Sequence, residues 1–334
     1  MKVAIYGAGS IGGHIAACLA HAGAEGGEVE VTMIARGQTL EAINAHGLRI
    51  AFDNADDFQT YTNVRAVEDP AAAGPQDYVI LALKAPVVRT IADAMQPLIG
   101  ENTAIVTAMN GVPWWYFHAH GGPLDGTRLE SVDPGGELSQ KLPPERCLGC
   151  VVYPAAEIVE PGVIRHEYGN RYMLGEPDGS KSERAQALSK AMTAGGLKAP
   201  VRPRIRDDIW LKLWGNVAFN PISALSLGTL EQIAGEEGTR RVARAMMVEA
   251  QAVAEALGVK MSVDVDTRIK WAGDVGAHKT SMLQDLERGR TMEVDSMVTA
   301  VSEIADKLTI DTPTIDTVLG LLIQRAKLAG CYGG

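Results

Sequence analysis

The stretch KVAIYGAGSIGG at Lys2–Gly13 constrains the fold more than any other part of the chain. A short β-type run leads into Gly7, Gly9 and Gly12, spaced as GxGxxG, and a small-residue run with helical character follows from Ile11 to Ala22. The spacing alone is a weak signal. Its context is strong, because a second strand-like run, VEVTMIAR at Val29–Arg36, follows roughly 20–25 residues on, as a dinucleotide-binding βαβ unit requires. Gly7 permits the tight turn, Gly9 lets a pyrophosphate approach the backbone, and Gly12 lets helix and strand pack closely. The helix N-terminus offers N–H groups and a partial positive charge to phosphate. Gly7, Ala8, Gly9, Ser10, Ile11 and Gly12 are the expected phosphate cradle.

An NAD site usually ends its second strand in Asp or Glu, which holds the ribose 2′-hydroxyl. Here that position is Arg36. A guanidinium fork suits a 2′-phosphate instead, so NADP(H) is the expected cofactor. Lys84, in ILALKA, and Asn110-Gly111 each close a strand at the end where ligands bind in such sheets. Both are candidates for the nicotinamide side; polar strand ends meeting solvent are the alternative for each.

Strands and helices alternate through the first half, which reads as an α/β Rossmann-type parallel sheet. The segment Gly149–Glu176, with a Pro-Gly turn between β-rich runs, adds an antiparallel extension. After Arg204 the pattern changes to long helices, and the prolines of APVRPRIR mark the boundary. The expected division is 1–203, a nucleotide-binding domain, and 204–334, an all-helical substrate and catalytic domain.

A formal charge of −10 argues against nucleic acid as a partner. No apolar run reaches the roughly 18–20 residues that span a bilayer, and the N-terminus enters a strand at once, so a cytoplasmic protein without membrane attachment is expected. Cys147 and Cys150 form a lone CxxC with no second pair or ligand-spaced histidines, and CVVYP reads as a strand rather than a redox helix start. They are read as structural, and no metal is expected. Long helices offer apolar faces to a homodimer, but the pattern does not separate an interface face from a core face.

The helix-like stretch WLKLWGNVAFNP, Trp210–Pro221, is apolar apart from Lys212, Asn216 and Asn220. Steps of four residues drift only about 40° around a helix, so the three share one stripe. A buried amide without a partner costs roughly 1–3 kcal/mol, and a charge costs more, so the stripe needs partners. With the glycine loop, LALKA at Lys84, Asn110-Gly111, SMLQDLERGRTMEVD at Ser281–Asp295 and Thr312-Pro313, this stretch resembles the ketopantoate reductase (2-dehydropantoate 2-reductase) family over nearly the whole chain.

The resemblance implies an NADPH-dependent oxidoreductase of the EC 1.1.1 type. It would reduce 2-dehydropantoate to pantoate, on the route to pantothenate and coenzyme A, with hydride from nicotinamide C4. It implies Lys212 as general acid, which a desolvated lysine tuned toward about pKa 7–8 can be. Asn110, Asn216, Asn220 and Ser281 would bind the substrate; Glu293 would act near Lys212 and, with Asn110, touch the cofactor side. On one straight helix Ser281 and Glu293 would stand roughly 18 Å apart, so a break near Gly289 and Thr291 is expected between them. Asp285 is read as structural, and Glu287, Arg288 and Arg290 as a solvated face.

Two departures bear on the substrate. Trp114-Trp115-Tyr116-Phe117 is bulkier than the family pattern and precedes a long insertion at His118–Pro144; the aromatics either line the substrate cleft or staple the loop down. His118 and His120 are read as surface residues. A polar amide expected about ten residues past Asn220 is replaced by Gly228-Thr229-Leu230, where Thr229 could take its contact. The alternatives to 2-dehydropantoate reduction are another branched 2-keto acid handled by the same mechanism, and a non-catalytic NADP sensor. The sensor should have lost its proton donor, and Lys212 with Glu293 speaks against it.

Overall fold

In a computed structural model of the protein, residues 1–26 and 28–333 are described, and the chain forms two compact units. One comprises Met1–Met109 with Glu137–Ile205, the other Asn110–Gly136 with Arg206–Gly334.

The first unit begins β1 (Lys2–Tyr6), α1 (Ser10–Ala24), β2 (Glu30–Ile34), α2 (Gly37–His46), β3 (Leu48–Ala51), β4 (Gln59–Tyr61) and β5 (Val64–Val67). It continues β6 (Gln76–Leu81), α3 (Ala85–Ile91), β7 (Ile99–Thr107), α4 (Glu137–Lys141), β8 (Cys147–Val152), β9 (Ala155–Glu160), β10 (Val163–Tyr168), β11 (Tyr172–Gly175) and α5 (Glu183–Ala194). The main sheet has seven strands in the order β11-β8-β7-β6-β1-β2-β5. Its pairs are parallel from β5 through β8, and β11 closes the edge antiparallel to β8. β1 is buried on both faces, as a central parallel strand must be.

The expected antiparallel extension splits in two. β8 and β11 join the main sheet, while the β9–β10 hairpin pairs with β3 and β4 in a separate four-stranded sheet. Helix α1 packs against strands of both sheets, which is why it is built of small residues. A Cβ on Gly13 would stand 2.7 Å from Ile164 of β10. Cys147 and Cys150 lie buried inside β8, in a strand as expected, and burial pushes the Cys147 thiol well up.

The second unit holds α6 (Ile205–Ser226), whose first residue closes the first unit, then α7 (Leu230–Gly235), α8 (Glu237–Ala256), α9 (Val265–Asp274) and α10 (Ser281–Glu287). A π-helical turn over Asp295–Thr299, α11 (Ala300–Leu308) and α12 (Pro313–Leu328) complete it. Helix α8 buries Ala243, Met246, Met247, Ala250, Val253 and Ala254, a single 3.6-residue stripe. α6 is buried nearly all round, and the Trp214 indole donates to the Met247 carbonyl of α8 at 2.7 Å. Among the described residues no helix is long and apolar enough to cross a membrane.

Residues 110–136 pack with the helices rather than with the sheet, and the aromatic run explains why. Trp114, Trp115, Tyr116 and Phe117 are between 1% and 6% exposed. The Trp210 indole of α6 donates to the Tyr116 hydroxyl at 2.6 Å, and Arg206 lies over the Tyr116 ring while its guanidinium donates to the carbonyls of Tyr116 and His118. Of the two readings of this run, the structure takes the staple. His120 is half-buried against Tyr116 and Phe117 rather than a solvent-facing surface residue; burial and Arg206 lower its pKa.

Candidate active site

The glycine loop of the first unit forms the turn its spacing requires. Gly7 has φ +117°, where an added Cβ would meet the Ala82 carbonyl oxygen at 2.4 Å. A Cβ on Gly12 would stand 1.9 Å from the Gly7 oxygen, so only glycine lets α1 start this close to β1. Gly9 is the N-cap of α1 with no side chain capping the first turn, and nothing lies within 4 Å of where its Cβ would be. An uncapped helix start beneath an open glycine is a cradle that fits a pyrophosphate.

Arg36 is exposed just past the C-terminal end of β2, beside β1 and its glycine turn. Its guanidinium is close enough to Tyr6 to oppose the upward push that burial gives the Tyr6 hydroxyl. The charge thus stands by the end of β1, next to the glycine turn. Lys84 is the half-buried N-cap of α3, after β6 and next to Ala82 and Leu83, which wall the Gly7 turn. These side chains fit a phosphorylated dinucleotide.

The second unit gathers a different set. Asn110 donates through Nδ2 to Glu293 Oε2 at 3.4 Å, across 183 residues of sequence. Gly111, at φ +82°, lies so close to Ser296 that a Cβ would come 2.5 Å from its carbonyl oxygen, and Val112 N–H donates to that oxygen at 2.7 Å. From α6, Asn220 reaches the Met297 sulfur at 3.4 Å. The Asn110-Gly111 turn, α6 and the chain from Glu293 to Met297 therefore meet. Asn220 and Glu293 are buried, while Lys212 and Asn216, earlier on the same stripe, are half-buried. That gradient makes the Lys212 end the accessible one.

Helix α10 ends at Glu287 and the next helical turn begins at Asp295, so the expected break between Ser281 and Glu293 is present. Ser281 is exposed in the first turn of α10, whose N-cap is Thr280. The segment after α10 is tied down by Met292 N–H donating to the Cys331 carbonyl at 2.8 Å. Thr229 is occupied: its hydroxyl and the Gln232 side chain form the capping box of α7. Asp285 is buried on α10.

Two residues escaped the sequence reading. Gly215 on α6 lies under the Arg268 guanidinium of α9, which stands 2.3 Å from where a Cβ would be. A glycine inside a helical stripe was its signal, since it costs about 1 kcal/mol against alanine. Ser296 is the other, and nothing in the sequence marks it.

A Rossmann-type sheet with a dinucleotide cradle, followed by a helical unit with a Lys/Asn/Glu set, defines a nucleotide-dependent oxidoreductase. The sequence family described as Ketopantoate reductase PanE/ApbA matches residues 3–116, and Ketopantoate reductase PanE/ApbA C terminal matches residues 204–326. The chain belongs to the ketopantoate reductase family. It is 54% identical to a 2-dehydropantoate 2-reductase of Mesorhizobium japonicum over 332 residues, covering 99% of this chain and 100% of the relative. A second 2-dehydropantoate 2-reductase, from Halobacterium salinarum, is 27% identical over 96% of this chain and 98% of its own. Among solved structures, a PanE/ApbA family ketopantoate reductase from Ralstonia eutropha superposes with a TM-score of 0.82 at 28% identity, covering 98% of this chain and 99% of its own.

Proposed function

We propose that this chain reduces 2-dehydropantoate to pantoate with NADPH, as a step toward pantothenate and coenzyme A. The observation that carries the reading is the meeting of Asn110 with Glu293, and of Asn220 with Met297 four residues past Glu293, which brings that segment against the helix that presents Lys212 and Asn216. The 54% identical relative named for that reaction supports it.

A bound reduced nicotinamide would supply the hydride to the keto carbon. The chain's own groups do the rest. Lys212, half-buried on α6, gives a proton to the developing alkoxide. Asn216 and Asn220, one and two turns on, both donate and accept, so they can hold the oxygens of a hydroxylated keto acid. Ser281 binds the acid's carboxylate or hydroxyl. Glu293 accepts from the Asn110 amide and so orients it. Arg36 pairs with the 2′-phosphate in a fork that NAD cannot use.

The test is a panel of 2-keto acids with NADPH and NADH, on wild type and on Lys212→Ala. The reading expects turnover of 2-dehydropantoate with NADPH, and a Lys212→Ala enzyme that still binds NADPH but loses most of kcat. No turnover of 2-dehydropantoate alongside turnover of other branched 2-keto acids would overturn the substrate. Near-wild-type kcat in the variant would overturn the proton donor. Replacing Arg36 with Ala should raise KM for NADPH and leave KM for NADH unchanged; equal effects on both would remove the 2′-phosphate role.

A further inference from the structure

Ser296 lies three residues past Glu293, inside the π-helical turn closed by Ala300 N–H donating to the Asp295 carbonyl. It is 3% exposed, and its Oγ has no hydrogen-bond partner among the described residues. A helical serine can satisfy itself by donating to the carbonyl four residues back, as Ser226 does to Ile222 at 2.7 Å. Ser296 cannot copy this, because the carbonyl four back belongs to Met292, before the helical turns begin. Buried hydroxyls are nearly always paired, so an orphan one calls for a partner that arrives from outside the chain. Single π turns also recur where chains bind ligands.

Its surroundings point to which partner. The Asn110-Gly111 turn rests on Ser296, and the same turn places the Asn110 amide on the Glu293 carboxylate at 3.4 Å. On the next residue, Met297, sits the Asn220 amide. Ser296 therefore adds a hydroxyl to a group of two amides and a carboxylate already assigned to the reactant. Asp295, beside it, is taken up by Thr299 and Tyr332, each donating at 2.9 Å, so the turn itself needs nothing from Ser296.

We propose that Ser296 is a further substrate-binding residue, whose hydroxyl pairs with an oxygen of the bound 2-keto acid; this rests on the reductase reading above. A hydroxyl both donates and accepts, so it can follow an oxygen through reduction from acceptor to donor.

Ser296→Ala removes one atom that has no partner in the free protein. The thermal midpoint is expected to hold or rise, NADPH affinity by fluorescence titration to stay unchanged, and KM for the keto acid to rise about tenfold. Comparing 2-keto acids with and without a side-chain hydroxyl separates the oxygens. A rise confined to the hydroxylated acid assigns Ser296 to that hydroxyl, and a rise on both assigns it to the shared keto acid group. Unchanged KM on both overturns the proposal, as does a lowered midpoint with unchanged KM, which marks a structural, water-bridged hydroxyl. Ser296→Cys, a near-isosteric weak donor, should fall between wild type and Ala in KM. Failure of wild type to reduce any 2-keto acid with either nicotinamide sinks the reductase reading itself, and Ser296 with it.

Discussion

The Asn110 amide hydrogen-bonds to the Glu293 carboxylate, joining residues that the sequence separates by 183 positions. Glu293→Gln keeps an acceptor for Asn110 while removing the charge. It is expected to leave the fold intact and to lower kcat by about tenfold to a hundredfold, the range of a hydrogen bond to a charged group. Circular dichroism melting with steady-state kinetics checks both halves. A kcat within twofold of wild type would leave Glu293 with a packing role only.

The C-terminal tail reaches the same segment. The Tyr332 hydroxyl donates to Asp295 Oδ1 at 2.9 Å, and Lys327 lies over its ring. Burial first, and the Asp295 carboxylate second, push the Tyr332 hydroxyl up to about 12. It therefore stays protonated through neutral and moderately alkaline pH, and an activity loss below pH 10 must come from another group. Tyr332→Phe should cost about 1 kcal/mol of stability, one hydrogen bond's worth, and raise KM for the keto acid by loosening the turn after Glu293. Unchanged kinetics would show that the turn holds its shape on Thr299 alone.

The sequence made the nucleotide-binding half legible because its demands are local. Gly7 and Gly12 each answer a steric need within one strand, one turn and one helix, and the structure shows those needs at the Ala82 carbonyl and at Gly7 itself. The Lys212–Asn216–Asn220 stripe was legible for the same reason, since a helical period fixes which side chains share a face. What escaped depends on distant chain. The short strands β3 and β4 are too brief to show a period, and β3 pairs with a hairpin strand about a hundred residues on. The aromatic run at Trp114–Phe117 could have faced substrate or core, and only the docking of Trp210 and Arg206 against it decided. Ser296 looked like any helical serine; only the start of the helical turn at Asp295 leaves the Met292 carbonyl, four residues back, outside it.

The staple itself can be tested. Tyr116→Phe removes the hydroxyl to which the fully buried Trp210 indole donates through Nε1 at 2.6 Å. An orphaned buried donor costs roughly 1–3 kcal/mol, which in a unit of this size is a drop of several degrees in the midpoint. Because Trp210 precedes Lys212 by two residues, kcat should fall along with stability, while NADPH binding should persist. A stable variant with normal kcat would mean that the aromatic run holds the loop without holding α6.

The last prediction concerns acid. His14 lies buried on α1 with its Nδ1 2.9 Å from the Tyr172 hydroxyl, its ring stacked on His166 at 4.4 Å and edge-on to Phe52. His166 is itself engaged, accepting from Asp53 N–H at 3.2 Å through Nδ1 and hydrogen-bonding to the Gly169 carbonyl through Nε2; the exposed Asp53 carboxylate stands 3.5 Å from Nδ1. Burial, and then the neighbouring His166, lower the His14 pKa to about 3 from 6.5. The unfolded chain therefore takes up a proton that the folded chain refuses. Stability is complete above pH 6.5 and falls as pH drops from there toward 3, with a slope of at most about 1.4 kcal/mol per pH unit. Between pH 7 and 5 this one group should remove about 2 kcal/mol. Urea unfolding across that range measures it, and His14→Gln, which keeps a partner for Tyr172 but cannot titrate, should flatten the dependence by that amount. Parallel pH curves for the two proteins would show that His14 is protonated in the folded state at little cost.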